Sequence, residues 1–210
     1  MITCSMVMYA QRVPGYQGKR TYLEYNFLSS PVILGVTKRG NKLGIGDKRS
    51  LAAWSFRNKV NMNYVTKRNS EIGGSFSFGR TGVLDTNESL GELRFTSVGL
   101  HQNRYFVKST GALAPLGRYF RMEAQYVQSA AFFLNEPRID FHFAYAGAGL
   151  GTRMVFRNFV TVNLSFQSGF IIPLKFSNSD AHFEHRNTVR KRLQSFYLYE
   201  TNIGIGLLLF

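Results

Sequence analysis

The sequence predicts an all-β protein: a closed, antiparallel, up-and-down eight-stranded transmembrane β-barrel. Three observations carry this. Apolar and polar residues alternate with a period of two in segment after segment. The connections alternate between short and longer ones. The chain stops on an apolar strand, Ile203-Gly204-Ile205-Gly206-Leu207-Leu208-Leu209-Phe210.

The strands follow in order. Leu23, Tyr25 and Phe27 alternate with Glu24 and Asn26. From Ala52 to Val65, Trp54, Phe56, Val60, Met62 and Tyr64 share one parity, and Ser55, Arg57, Lys59, Asn61 and Asn63 the other. Segments 71–79 and 92–106 carry weaker versions. Phe120, Met122, Ala124 and Tyr126 oppose Arg121, Glu123 and Gln125, and Ile139, Phe141, Phe143 and Tyr145 oppose Asp140 and His142. Val160, Val162, Leu164 and Phe166 oppose Thr161, Asn163, Ser165 and Gln167, and 195–210 completes the set. None of the five strongly alternating segments shows the 3.6 period of a helix. Several exceed the length usual in soluble sheets and suffice for the roughly 9–11 residues of a tilted membrane strand.

Short links are expected at Thr66–Ser70 and around Thr152–Arg157, with longer ones at 29–51, 80–91, 128–138 and 171–193. The link at Val107–Leu116 is longer than a strict scheme prefers. Short turns at one rim and long loops at the other characterise a transmembrane barrel. Alternation alone fits a soluble barrel equally well. Lipid is favoured by the loop asymmetry, by the start of the chain, and by the last strand, a sticky edge unless the barrel closes.

Composition removes other classes. Forty-four per cent apolar residues and 18% charged ones exclude a disordered basic tail. The formal charge of +14 invites nucleic acid, but no aromatic RNA-binding motif or zinc knuckle is present, so nucleic acid is not expected as a partner. The one cysteine, Cys4, allows no intramolecular disulfide framework. Residues 1–10, apolar and closing on Ala10, read as the remnant of a secretory signal peptide, without the usual basic n-region. The barrel domain is then 11–210.

If the aromatic parity faces lipid, charges fill the lumen: Glu24, Arg57, Lys59, Glu71, Arg94, Arg121, Glu123, Asp140 and Glu200. Five acids and four bases nearly cancel, as a packed interior ion-pair network needs and a wide channel does not. The basic segments carry a different message. Lys38, Arg39, Lys42, Lys48 and Arg49 stand against Asp47, and Lys175, Arg186, Arg190, Lys191 and Arg192 against Asp180 and Glu184. Outside the cell such loops suit the anionic groups of lipopolysaccharide, or an acidic membrane-protein partner.

Two arrangements have residue types suited to catalysis or metal binding. His142 with Asp140, and Ser165 across the next strand pair, would supply the residue types of a lipid-modifying hydrolase, but a histidine hydrogen-bonded to Asp140 is the plainer reading. His182 and His185, near Asp180 and Glu184, share a side only on a helical turn, so no metal site is expected. No cofactor is expected, and His101 has no obvious partner.

Arg12-Val13-Pro14-Gly15-Tyr16-Gln17-Gly18-Lys19-Arg20 and Gly111-Ala112-Leu113-Ala114-Pro115-Leu116-Gly117-Arg118-Tyr119 resemble segments of small outer-membrane β-barrel proteins of Bacteroidetes type. Phe210 resembles the terminal aromatic read by outer-membrane assembly machinery. The resemblance implies an eight-stranded barrel in the cell outer membrane with both termini in the periplasm, and it names no activity. The sequence departs from it at the end: if Ile203, Ile205, Leu207 and Leu209 face lipid, Phe210 turns inward unless a bulge intervenes. The expected role is therefore non-enzymatic, structural or accessory. Lipid A deacylases or acyltransferases and a soluble ligand-binding barrel are the alternatives.

Overall fold

The computed structural model describes residues 18–32, 53–84, 90–106, 114–133, 138–176 and 183–209. Eight strands form one closed antiparallel barrel in sequence order. They are β1 (Thr21–Val32), β2 (Ala53–Lys67), β3 (Ser70–Leu84), β4 (Leu90–Tyr105), β5 (Gly117–Phe133), β6 (Ile139–Phe156), β7 (Val160–Phe176) and β8 (Glu200–Leu208). A helix, α1 (Phe183–Leu198), precedes β8. Closure comes from β1 against β8, with Tyr22 opposite Leu208 and Ser29 opposite Thr201.

One rim holds the tight turns. β2 returns into β3 through Lys67–Ser70, after a register shift between Val65 and Lys67, with the Thr66 hydroxyl donating to the Ser70 carbonyl at 3.1 Å. β6 returns into β7 through Arg157, Asn158 and Phe159; Arg157 and Asn158 are left-handed at φ 47° and 65°, and the Phe159 amide donates to the Phe156 carbonyl at 3.2 Å. Two successive left-handed residues match the twist of the flanking strands, and asparagine suits that conformation. The start of β1 and the end of β8 lie at this rim.

At the other rim the strands run further than their alternation suggests. β3 reaches Leu84 and β4 starts at Leu90, while β5 reaches Phe133 and β6 starts at Ile139. The expected loops 80–91 and 128–138 are therefore largely strand, because the ladders stay paired where side-chain alternation fades. Part of 171–193 is strand and helix, and 195–198 is helix rather than the start of the last strand.

The helix has a structural task. β8 begins at Glu200, opposite Gln167, so β7 beyond that point has no partner on that side. α1 lies over this notch: the Ile171 amide donates to Gln194 Oε1 at 3.2 Å, and the Ser30 hydroxyl donates to the Phe196 carbonyl at 3.0 Å. An exposed strand edge is thereby covered. Leu193, Phe196 and Tyr197 point into the barrel among Leu93, Phe95, Val127, Phe141, Phe143, Tyr145 and Ile171, forming an apolar plug.

The exterior inverts the soluble arrangement. Leu100 is 73% exposed and Ile205 61% exposed, while Glu24 and Arg153 are fully buried. On β3 the outward positions between Ser70 and Arg80 are Ile72, Gly74, Phe76 and Phe78. On β4 those between Arg94 and Arg104 are Thr96, Val98, Leu100 and Gln102. Each uncharged stretch spans about ten residues, roughly 33 Å along a strand. At a tilt near 40° that rises about 25 Å, the height of a lipid-facing band.

Candidate functional site

Because one face of every strand meets the lumen, strand register sets which polar side chains meet. Nearest the turn rim, Arg153 is the hub. It contacts Glu24 through Nη2 at 2.8 Å and Nε at 3.0 Å, and Glu71 through Nη1 at 2.9 Å. Its guanidinium carbon lies 4.7 Å from the Tyr22 ring centroid and 5.2 Å from that of Tyr119. Arg153 and Tyr105 are also hydrogen-bonded. Glu71 further accepts from the Tyr22 hydroxyl at 2.5 Å and from Asn103, and Glu24 from Asn61 at 3.2 Å.

A second knot sits higher. Glu123 accepts from Lys59 at 2.6 Å, the Ser75 hydroxyl at 2.9 Å, Gln167 at 3.1 Å and Arg121 at 3.2 Å. His101, buried at 4% exposure, has its Nε2 2.6 Å from Asn63 Oδ1. Gly73 makes this fit, since a Cβ there would stand 2.6 Å from the same Nε2. Above, Arg57 pairs with Glu200 and lies 4.3 Å from the Tyr197 ring centroid on α1. Burial raises the Tyr197 hydroxyl to about 12, so the ring meets Arg57 as a neutral phenol.

Among the described residues the buried charges thus comprise Glu24, Glu71, Glu123 and Glu200 against Arg57, Lys59, Arg121 and Arg153. Four of each sign balance in a lumen crossed by hydrogen bonds, which suits a filled barrel. Two expected members do not belong. Arg94 faces outward, 63% exposed and paired with Glu92 at 2.8 Å, and Asp140 also faces outward, paired with Arg138 at 2.8 Å. On β6 the aromatics Phe141, Phe143 and Tyr145 turn inward because the plug of α1 makes that end of the lumen apolar. Charges face the lumen only where the lumen is polar.

The catalytic grouping that the sequence suggests does not assemble. His142 faces outward, its Nδ1 2.6 Å from the Tyr126 hydroxyl. Ser165 faces inward, where its oxygen accepts from Asn202 at 3.1 Å. Ser165 lies opposite Gly151, nine positions along β6 from His142, roughly 30 Å by strand rise, and on the other face of the wall. No triad can form across that separation.

Sequence reasoning missed Arg153, because a turn is expected at 152–157; its odd number, matching Gly147, Gly149 and Gly151 on one face, was the available signal. It also missed α1, whose Leu193, Phe196 and Tyr197 follow the i, i+3, i+4 spacing of a helix. Arg190 and Lys191 are exposed on α1. Lys38, Arg39, Lys42, Lys48, Arg49, His182 and Phe210, and the side chains of Lys175, His185, Arg186 and Arg192, lie outside the described residues. Residues 1–10 do so too.

No family model matches the chain, and no curated protein matches it. Solved structures do. Neisserial surface protein A is similar at 9% identity and a TM-score of 0.50, over 90% of this chain and 97% of that one. That likeness is one of fold: a small eight-stranded transmembrane barrel. Ail, the attachment invasion locus protein of Yersinia pestis, solved with the heparin analogue sucrose octasulfate, is similar at 13% identity and 0.46. The N-terminal β-barrel domain of Pseudomonas aeruginosa OprF follows at 11% and 0.43, each over 90% of this chain and 97% of its own.

Proposed function

We propose that the chain is an exported outer-membrane β-barrel protein with a structural or accessory, non-enzymatic role. Its basic loops contact lipopolysaccharide or a membrane-protein partner. The observation that carries the reading is the uncharged outward band bounded by Ser70 and Arg80 on β3 and by Arg94 and Arg104 on β4. A soluble protein rarely exposes an apolar surface of more than a few hundred Å². A band of bilayer height around a closed barrel, with an ion-paired lumen behind it, is stable only with lipid outside.

Residues 1–10 serve as the export signal remnant, and the turn rim with both strand termini faces the periplasm. Arg190 and Lys191 on α1, together with the basic segment around Lys38–Arg49, then face the cell exterior. The outer-membrane assembly machinery inserts the chain, with Phe210 in its terminal signal. The filled lumen supports a structural role over conduction, since four buried ion-pair groups of each sign occupy it.

The test is heat-modifiability. The detergent-purified chain is run on a denaturing gel with and without boiling, and a mobility difference is expected. A chain that runs identically in both lanes and is soluble without detergent would overturn the membrane reading.

A further inference from the structure

The outer wall of β3–β6 carries an arrangement that an uncharged lipid coat does not explain. Arg80 and Arg94 face each other in register across β3 and β4. Like charges directly opposite repel. Arg138 is a third cation on the same patch, and Phe132 supports two of the three: its ring centroid lies 5.1 Å from the Arg94 guanidinium carbon and 5.6 Å from that of Arg138. Glu92 engages Arg94 and Asp140 engages Arg138, each at 2.8 Å. Among the described residues no carboxylate lies within ion-pair distance of Arg80. Arg80, Arg94 and Arg138 line a cleft of about 760 Å³ together with Phe56, Phe78 and Phe132.

The height of this cleft matters. Arg80 and Arg94 mark the upper limit of the uncharged band, where lipid head groups lie if the barrel spans the outer membrane. Below it, the wall becomes small-sided. Ala144, Ala146 and Ala148 follow one another down the outer face of β6, and Ala124 on β5 faces Ala146 in register. Larger side chains flank them: Tyr126 is opposite Ala144, and Phe170 on β7 is opposite Ala146. The result is a shallow trough within the apolar band, beginning just below the Tyr126–His142 pair, whose stacked rings, 5.9 Å apart, stand between it and the cationic cleft.

We propose that the cleft binds the phosphate head group of an outer-leaflet lipid and that the alanine trough seats one of its acyl chains. The inference rests on the outer-membrane reading and sharpens it, moving the lipid contact from the loops to the wall. Guanidinium groups recognise phosphate through paired N–H donors, and the aromatic ring beneath orients two of them. A phosphate between Arg80 and Arg94 turns their repulsion into shared attraction. The trough asks for a chain attached to that phosphate, which a free anion lacks.

The test uses the full chain folded in detergent and three probes: bis-phosphorylated lipid A, the same lipid dephosphorylated, and inorganic phosphate. Native mass spectrometry reads the retained lipid. The phosphorylated lipid is expected to be retained about tenfold more strongly than the dephosphorylated one, a ratio equal to about 1.4 kcal/mol. R80Q/R94Q is expected to abolish that preference. A146F, which narrows the trough and leaves the arginines in place, is expected to weaken lipid retention severalfold.

Equal retention of both lipids, or an unchanged preference in R80Q/R94Q, would overturn the proposal. So would inorganic phosphate displacing the lipid at equal concentration, since the site would then be an anion site alone. Each variant must keep the unboiled mobility of the parent; R138Q replaces the double variant if that one does not fold. A parent chain without heat-modifiability fails the membrane reading itself, a different result from a folded barrel that ignores phosphate.

Discussion

Replacing Arg153 with methionine removes one cation from two buried carboxylates at once. Arg153, Glu24 and Glu71 are all fully buried, and the substitution breaks ion pairs of 2.8 Å to Glu24 and 2.9 Å to Glu71. Deleting one partner of a buried ion pair generally costs about 3–5 kcal/mol, because the partner is stranded without water. Here two carboxylates are stranded, which argues for the upper part of that range. The donors that remain, Asn61 on Glu24 and Tyr22 and Asn103 on Glu71, keep the loss from doubling. The expected loss is therefore about 4 kcal/mol, roughly a thousandfold in the folding equilibrium. Reversible urea unfolding in lipid vesicles, followed by fluorescence of Trp54, measures it. Adding E24Q and E71Q to R153M should recover most of the loss, since neutral amides need no counter-charge. A deficit below about 1 kcal/mol, the scale of a surface pair, would refute the reading of Arg153 as the hub of the lumen.

The remaining predictions concern space and the plug. At Gly147 an added Cβ would collide with the Tyr145 hydroxyl, which accepts from Gln167 at 2.9 Å, whereas at Gly74 the nearest atom is 4.0 Å away. G147A should lose about 1–3 kcal/mol in the same urea assay, while G74A should lose none; equal midpoints would contradict the packing described. Phe196 on α1 is 1% exposed and lies 4.9 Å from the Phe95 ring. F196A should leave the unboiled gel mobility intact but speed proteolytic cleavage between β7 and β8, because the helix loses its anchor while the ladder stays whole. Cleavage at the parental rate would show that α1 is held by something else.

Much of the architecture is readable along the chain, because a two-residue period on a closed wall is a direct record of what each face meets. Phe56, Met62 and Tyr64 against Arg57, Lys59 and Asn61 is such a record, and so is the last strand from Ile203 to Leu209. The reading fails where height along the barrel axis changes the rule. Asp140 and His142 alternate with Phe141 and Phe143 as cleanly as any segment. Yet there the aromatics face inward, because the lumen at that height is apolar. Charge alone sends Arg94 to the lumen, although its position above the uncharged band lets it reach water or head groups. Arg153 is lost to a turn expected a few residues too early, and its glycine-spaced face is the clue.

The sequence by itself determined that the chain forms long antiparallel strands with one apolar and one polar face, and that the last strand needs a partner. Local chemistry suffices for that, since side chains of successive residues point to opposite faces. The tertiary structure decided which acid meets which base, because Glu24 and Arg153 are brought together by register around the whole barrel. It also decided that α1 fills the notch above β8, and that Arg80, Arg94 and Arg138 share one patch of wall. Such contacts join residues far apart in the chain. Their energies depend on burial and on the height of each group along the barrel axis, and alternation within one strand records neither.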